Sequence, residues 1–101
     1  MKKISLLVIA LSLLPIAAHA NYSVCAEVGH IANKVMELRQ YSGKPRETFS
    51  CDGGKNDLCV AMFDVAYKVP LMDSNQGKDD LIEAYGVAWY RQCLKDMPSK
   101  A

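Results

Sequence analysis

Apolar residues recur at helical spacing in three stretches of the chain, and this pattern predicts three main helices. In the first stretch, Cys25 to Gln40, the apolar positions are separated by alternating steps of four and three residues. Such spacing aligns them along one side of a helix and leaves polar residues on the other. The predicted inward positions are Val24, Val28, Ile31, Val35 and Leu38, widened by Cys25, Ala32 and Met36.

The ends of this first helix are indicated by residues with known terminal preferences. Ser23 can cap the N-terminus by accepting a hydrogen bond from a backbone amide of the first turn. Gly43 and Pro45 end the helix, because glycine adopts the left-handed C-terminal conformation and the residue before a proline disfavours helix. From Pro45 to Ser50 the sequence predicts a short helical turn that buries Phe49.

A second helix is predicted between a glycine-rich loop and a proline. The loop covers residues 52–56, its last residue, Asn56, can cap the helix, and Pro70 ends it. The apolar positions are Leu58, Met62, Val65 and Val69, broadened by Cys59, Ala61, Phe63 and Ala66. Because this helix is nearly apolar on two sides, we expect it to be the most buried.

A third helix follows a polar connection over residues 71–78. Asp80 with Glu83 has the form of a capping box, and Met97 with Pro98 ends the helix. The predicted inward positions are Leu81, Ile82, Tyr85, Ala88, Trp89 and Cys93. No stretch after residue 20 has the two-residue period of a strand, so the predicted fold class is all-α, a small bundle of three to four short helices.

The first twenty residues have the pattern of a secretory signal peptide. Lys2 and Lys3 precede an apolar run, and Ala18-His19-Ala20 resembles a cleavage site. Pro15 interrupts the run before it reaches the length of a membrane span, about 18 residues. We therefore predict cleavage after Ala20, a periplasmic location, no stable membrane insertion, and a single helical domain over residues 21–101.

The charge balance of that domain argues against nucleic-acid binding. Residues 21–101 contain ten lysines and arginines against eleven aspartates and glutamates, a net charge of −1. No basic cluster of the kind that binds phosphate backbones is present.

Four cysteines, Cys25, Cys51, Cys59 and Cys93, predict two disulfides that brace a core too small to be stable without crosslinks. They contain no Cys-x-x-Cys pair, which disfavours a thiol oxidoreductase. Three connectivities are possible. If the segment 45–50 counts as a helix, alternating helix directions bring all four cysteines to one pole, which favours Cys25 with Cys93 and Cys51 with Cys59. If that segment is not helical, Cys93 arrives at the opposite pole.

Candidate ligating residues are few. His30 is the only histidine after residue 20, and the exposed side of a helix is its expected place. The spacing of Asp73, Asn75, Gly77 and Asp79 resembles half of a calcium loop. The required glycine and bidentate glutamate are replaced by other residues, which favours a polar loop. No metal site and no cofactor are predicted.

Two tyrosines and two arginines are candidates for a protein interface. Tyr41 and Tyr90 lie off the predicted apolar stripes, beside Arg39 and Arg91. Tyrosine and arginine are the residue types that most often anchor interfaces. Half-exposed tyrosines that cover a thin core would explain this placement equally well.

Three short motifs carry a resemblance to a known group of proteins. They are Ile31-Ala32-x-x-Val35-Met36-x-x-Arg39-Gln40, then Ala66-Tyr67-x-x-Pro70, then Tyr90-x-x-Cys93. Together they resemble a group of small exported helical proteins of bacteria and phages. The resemblance implies an all-helical exported domain and supplies no catalytic residues. The spacing between Arg39-Gln40 and Gly43, and the loop from Cys51 to Cys59, depart from the group's pattern.

No acid, base, nucleophile or cofactor site is arranged for catalysis, so an enzyme is not predicted. We expect an interaction or inhibitor module that binds a protein of the cell envelope. The alternatives are a periplasmic stress chaperone and a small-ligand or calcium-binding domain. The sequence leaves the oligomeric state and the partner open.

Overall fold

The computed structural model describes residues 13–96, with side-chain surroundings from Tyr22 onward. These residues form three α-helices, α1 (Leu13–Tyr41), α2 (Asp57–Ala66) and α3 (Asn75–Asp96), and one 3-10 turn, Arg46–Thr48. Every element of the described range is helical, which confirms the predicted all-α fold. No helix of this range is apolar over enough residues to cross a membrane.

Helices α1 and α3 form an antiparallel pair that is joined at both ends. At one end Cys25 is bonded to Cys93. At the other end Lys78 Nζ donates a hydrogen bond of 2.7 Å to the carbonyl oxygen of Gln40. Between these ends the two backbones approach closely at Gly29 and Gly86, where a Cβ added to Gly86 would lie 2.9 Å from the carbonyl oxygen of Gly29.

Helix α2 completes the core by packing an apolar side against this pair. Met62 and Ala66 are fully buried, and the Tyr85 hydroxyl of α3 donates to the Met62 carbonyl oxygen at 2.6 Å. Phe63 stacks on Phe49, with ring centroids 5.0 Å apart. The buried core consists of Ala32, Val35, Met36, Cys51, Met62, Phe63, Ala66 and Tyr85.

The connection between α1 and α2 returns the chain to the Cys25 end. Gly43 has a φ of 72°, which allows the chain to turn after α1, and the predicted helical turn is the 3-10 turn Arg46–Thr48. Cys51 is bonded to Cys59, and Asn56 caps α2 by accepting a 3.1 Å hydrogen bond from the Cys59 amide. The cysteine pairing is the one favoured by alternating chain directions, although the returning segment contains only one helical turn.

Two predicted helix starts are wrong. Ser23 lies inside α1, which begins at Leu13. Helix α3 begins at Asn75, because the Ser74 hydroxyl accepts a 3.0 Å hydrogen bond from the Gly77 amide and acts as the cap. The predicted capping box, Asp80 with Glu83, therefore lies within the helix, and the polar connection is shorter than predicted.

The buried side of α1 is rotated from the predicted stripe. Val24, Ile31 and Leu38 are exposed by 50%, 41% and 36%, whereas Gly29 and Gln40 are buried. Gly29 decides this orientation, because the absence of a side chain allows the backbone of α3 to come close to the side of α1 on which Gly29 lies. The prediction of Val24, Ile31 and Leu38 as core positions is wrong.

Helix α2 is also less buried than predicted. The stripe that was predicted to face inward includes Leu58 and Val65, which are exposed by 42% and 43%, and Ala61 is exposed as well. On α3 the predicted inward residue Ala88 is exposed and Gly86 is buried in its place. Three helices leave part of each stripe uncovered.

The predictions for the two ends of the chain are not tested by the described residues. Most of the predicted signal segment, residues 1–12, and the predicted helix stop at Met97 and Pro98 lie outside the described residues. The backbone from Leu13 to Ala20 is continuous with α1. Cleavage after Ala20 stays a prediction.

Candidate interaction surface

Arg39, one of the predicted interface residues, binds within the chain. Its Nε and Nη2 atoms donate to the Val69 carbonyl oxygen at 3.0 and 2.8 Å. Its guanidinium carbon lies 4.8 Å from the centroid of the Tyr67 ring. A guanidinium that donates twice to one carbonyl and stacks on an aromatic ring holds the chain after α2 against the end of α1.

The neighbouring Gln40 performs a related task from inside the molecule. It is 2% exposed, its Nε2 donates to the Pro70 carbonyl oxygen at 3.1 Å, and its Oε1 accepts from the Met72 amide at 2.9 Å. A buried amide side chain that is satisfied on both atoms positions the α2–α3 connection with two specific bonds.

These contacts give a structural reason for two motifs of the noted resemblance. Arg39 and Gln40 bind Val69 and Pro70, which end the Ala-Tyr-x-x-Pro segment, and Tyr67 of that segment lies under the arginine. We call this group the Arg-Gln clamp. Its residues contact one another within the chain, so these two motifs account for the packing of the fold and do not by themselves indicate a binding site.

Tyr41 is exposed by 44% and also takes part in a contact within the chain. Its hydroxyl donates to the Asp79 carboxylate at 2.8 Å. That hydrogen bond, followed by partial desolvation and by the negative charges of Asp79 and Glu37, raises the pKa of Tyr41 from its ordinary value. Lys78 Nζ lies 5.1 Å from the centroid of the same ring.

Tyr90 and Arg91 lie near the disulfide-bonded end of α3, far from Tyr41. Twelve residues of helix separate Asp79, the partner of Tyr41, from Arg91, which corresponds to about 18 Å. Tyr90 is half-buried, with its Cβ against Gly29 of α1, and Arg91 is exposed. The four predicted interface residues therefore do not form one patch.

A different surface, on α2 and α3, is apolar and uncovered. We define the α2–α3 face as Leu58, Ala61 and Val65 of α2 with Ala84 and Ala88 of α3, all of them exposed. Leu58 lines a cavity of ≈ 200 Å³ together with Trp89 and Gln92. Leu58 is thus the member of the face that lies against α3, and on α3 Ala88 is next to Trp89 and one turn from Gln92.

Charged residues border the α3 side of this face. Asp80, Glu83 and Arg91 line a shallow open cavity of ≈ 400 Å³ with the small residues Ala84 and Ala88. The two carboxylates lie toward the start of α3 and the guanidinium toward its end. Val87, exposed by 39%, also lines this cavity between the two alanines, so the surface between the charges of opposite sign is apolar.

Most of the side chains considered as metal or redox groups lie in disulfides or on helices in the described range. Both cysteine pairs are oxidised, and no group of three or more His, Cys, Asp or Glu residues in the described range could hold a metal ion. His30 is exposed, and residues 75–79 are helical, so they cannot direct alternate oxygens to one side as a calcium loop does. Burial raises the pKa of Tyr85, whose hydroxyl is bound to a backbone carbonyl.

Sequence reasoning missed the α2–α3 face because Leu58, Val65 and Ala88 have the spacing of core residues. The pattern marks a side as apolar and does not say whether a neighbour covers it. The Arg-Gln clamp was missed for another reason, since its backbone acceptors are 30 residues away in sequence.

No family profile, curated protein or solved structure matches this chain.

Proposed function

We propose that the protein is a periplasmic interaction module, of the inhibitor type, that binds an amphipathic helix of a cell-envelope protein on its α2–α3 face. The observation that supports this most directly is the exposure of Leu58, Val65 and Ala88, whose spacing is that of buried positions. Contiguous exposed apolar residues between charged ones are typical of interaction sites.

The chemistry of the face defines the partner. Leu58 and Val65 supply larger apolar contacts, whereas Ala61, Ala84 and Ala88 permit a close approach of a second backbone. Covering the exposed fraction of Leu58 or Val65 would contribute roughly 1 kcal/mol each. A partner helix with basic residues beside Asp80 and an acidic residue beside Arg91 complements the charged border.

The crosslinks support the proposed location. Two disulfides indicate an oxidising environment outside the cytoplasm, because thiols are kept reduced inside it. The periplasm is the compartment that agrees with the predicted signal peptide. A braced scaffold also presents an exposed face with little loss of conformational entropy on binding.

Site-specific photocrosslinking in cells that express the full chain tests this proposal. A photoreactive residue at Ala61 is expected to give an adduct of one defined mass. The same residue at His30, on the polar side of α1, is expected to give no adduct of that mass. Leu58→Asp should abolish the Ala61 adduct, whereas Val24→Asp, at a comparably exposed position of α1, should preserve it.

Each variant is checked for intact disulfides and helical circular dichroism before crosslinking. Equal labelling from Ala61 and His30, or an adduct that survives Leu58→Asp, would contradict the proposal. Adducts with many different proteins would instead support the chaperone alternative.

A further inference from the structure

Helix α1 carries a second uncovered apolar row, separate from the α2–α3 face. Its residues are Val24, Ile31 and Leu38, exposed by 50%, 41% and 36%, and we call this row the α1 ridge. The three residues are seven apart, so they lie on one side of the helix at intervals of about 10.5 Å. The half-buried Val28 lies between Val24 and Ile31, whereas Val35, between Ile31 and Leu38, belongs to the buried core.

The ridge is complementary to itself when a second helix runs in the opposite direction. Val24 and Leu38 are each seven residues from Ile31, on opposite sides of it. In an antiparallel pair of identical helices centred on Ile31, the two Ile31 side chains meet, and each Val24 meets a Leu38 of the other copy. Such pairing is the two-fold arrangement that symmetric dimers use.

The charges beside the ridge select the same arrangement. Glu27 and Lys34 are both exposed, and they lie at about 40° and 60° from Ile31 on the same side of the helix. Because they are four residues before and three residues after Ile31, an antiparallel second copy places its Lys34 opposite Glu27, and its Glu27 opposite Lys34. In a parallel two-fold pair the flank that carries Glu27 and Lys34 would face the other flank of the second copy, so the two charges would not meet.

Both charged groups are available for this pairing. Lys34 lies 3.8 Å from Glu37, and the two side chains are exposed by 80% and 53%, so the contact is weak and open to solvent. The described part of the chain shows no hydrogen bond or salt bridge for the Glu27 side chain.

We infer that two copies of this chain associate through the α1 ridge as an antiparallel, two-fold symmetric dimer. The inference goes beyond the proposed function, because it uses a different helix side and a different occupant. The ridge is narrow, so the dimer belongs among weak interfaces and dissociates on dilution.

Sedimentation equilibrium of the purified full-length gene product, with disulfides intact, measures this association over a concentration series. The wild type is expected to move from the mass of one chain to the mass of two as concentration rises. Ile31→Asp should remain a single chain throughout. Val65→Asp, an equally exposed apolar position on α2, should dimerise like the wild type.

Charge reversal tests the direction of the two helices. Glu27→Lys alone and Lys34→Glu alone should each weaken dimerisation about ten-fold, since each produces two repulsive contacts in the symmetric dimer. The double variant Glu27→Lys/Lys34→Glu should recover the wild-type dissociation constant. Helical circular dichroism should be the same for all variants.

Three results would overturn the inference: a wild type that stays a single chain, an Ile31→Asp variant that still dimerises, or a double reversal no tighter than the single ones.

Discussion

Replacement of Gly86 by alanine tests the central packing contact of the fold. Gly86 is in the interior of α3, where alanine is ordinarily more favourable than glycine by about 1 kcal/mol. Helix propensity alone therefore predicts a more stable protein. The structure predicts the opposite, because the added Cβ would enter the space where α1 and α3 cross.

The distances determine the size of the effect. The new Cβ would lie 1.8 Å from Asn33 Oδ1 and 2.9 Å from the carbonyl oxygen of Gly29. Asn33 can rotate, but the Gly29 carbonyl belongs to the backbone of α1, so the two helices must separate. Overpacking costs about 1–3 kcal/mol, and a clash with backbone belongs in the upper part of that range, about 2–3 kcal/mol. Subtracting the propensity gain of about 1 kcal/mol leaves a net destabilisation of about 1–2 kcal/mol.

Thermal and urea unfolding with intact disulfides, followed by circular dichroism and by the fluorescence of Trp89, measures the change. We expect the Tm of Gly86→Ala to fall by roughly 5–15 °C for a domain of this size. Gly77→Ala is the matched control in the same helix, since the nearest atoms to its Cβ are 3.3 Å or more away. With no backbone clash to offset the propensity gain, Gly77→Ala should be as stable as the wild type or more stable by up to about 1 kcal/mol.

Asn33 provides a second control. Its Oδ1 is buried without a hydrogen-bond partner, so Asn33→Ala should be nearly neutral. The double variant Asn33→Ala/Gly86→Ala should recover part of the lost stability and not all of it, because the Gly29 carbonyl remains in the way. A Gly86→Ala protein as stable as the wild type would refute the close crossing of α1 and α3.

Three further predictions concern the clamp, the buried hydroxyl and the long crosslink. Gln40→Ala should lower the free energy of unfolding by about 2–3 kcal/mol in urea titrations, because it leaves the Met72 amide unpaired. Tyr85→Phe should cost about 1 kcal/mol near neutral pH. Burial raises the pKa of Tyr85 above its ordinary value of 10.0. The stability contributed by the neutral hydroxyl is therefore complete below pH 10 and is lost as pH rises through the folded-state pKa. Tyr85→Phe should weaken this alkaline loss of stability, which Tm measurements from pH 8 to 11 would detect. Replacing Cys25 and Cys93 together by alanine opens a crosslink over 68 residues and should cost about 4 kcal/mol on the chain-entropy model. Loss of the crosslink over 8 residues should cost about 2.5 kcal/mol. Calorimetry that ranks the two losses in the reverse order would contradict this prediction.

The Arg-Gln clamp changes how the sequence motifs are interpreted. Arg39 was an attractive interface candidate because arginine is common in binding sites, yet its guanidinium is used by a backbone carbonyl and a tyrosine ring. The residues proposed to bind a partner are instead apolar side chains that the neighbouring helices leave exposed.

The sequence alone determined which segments are helical and several of their ends. Step patterns of three and four residues, Asn56 as a cap, and Gly43 after α1 are local signals, because each acts on backbone groups within one turn. The cap of α3 at Ser74 is also a local signal, since its hydroxyl accepts from the Gly77 amide within the first turn.

Only the tertiary structure decided which side of each helix is buried. An apolar stripe is wider than the contact that a neighbouring helix makes with it, so the pattern permits several rotations. For α1, the close approach of Gly29 to Gly86 selects one of them, and it leaves Ile31 in solvent. The uncovered surfaces, and with them the candidate sites, exist because three helices cannot enclose every apolar side that the sequence supplies.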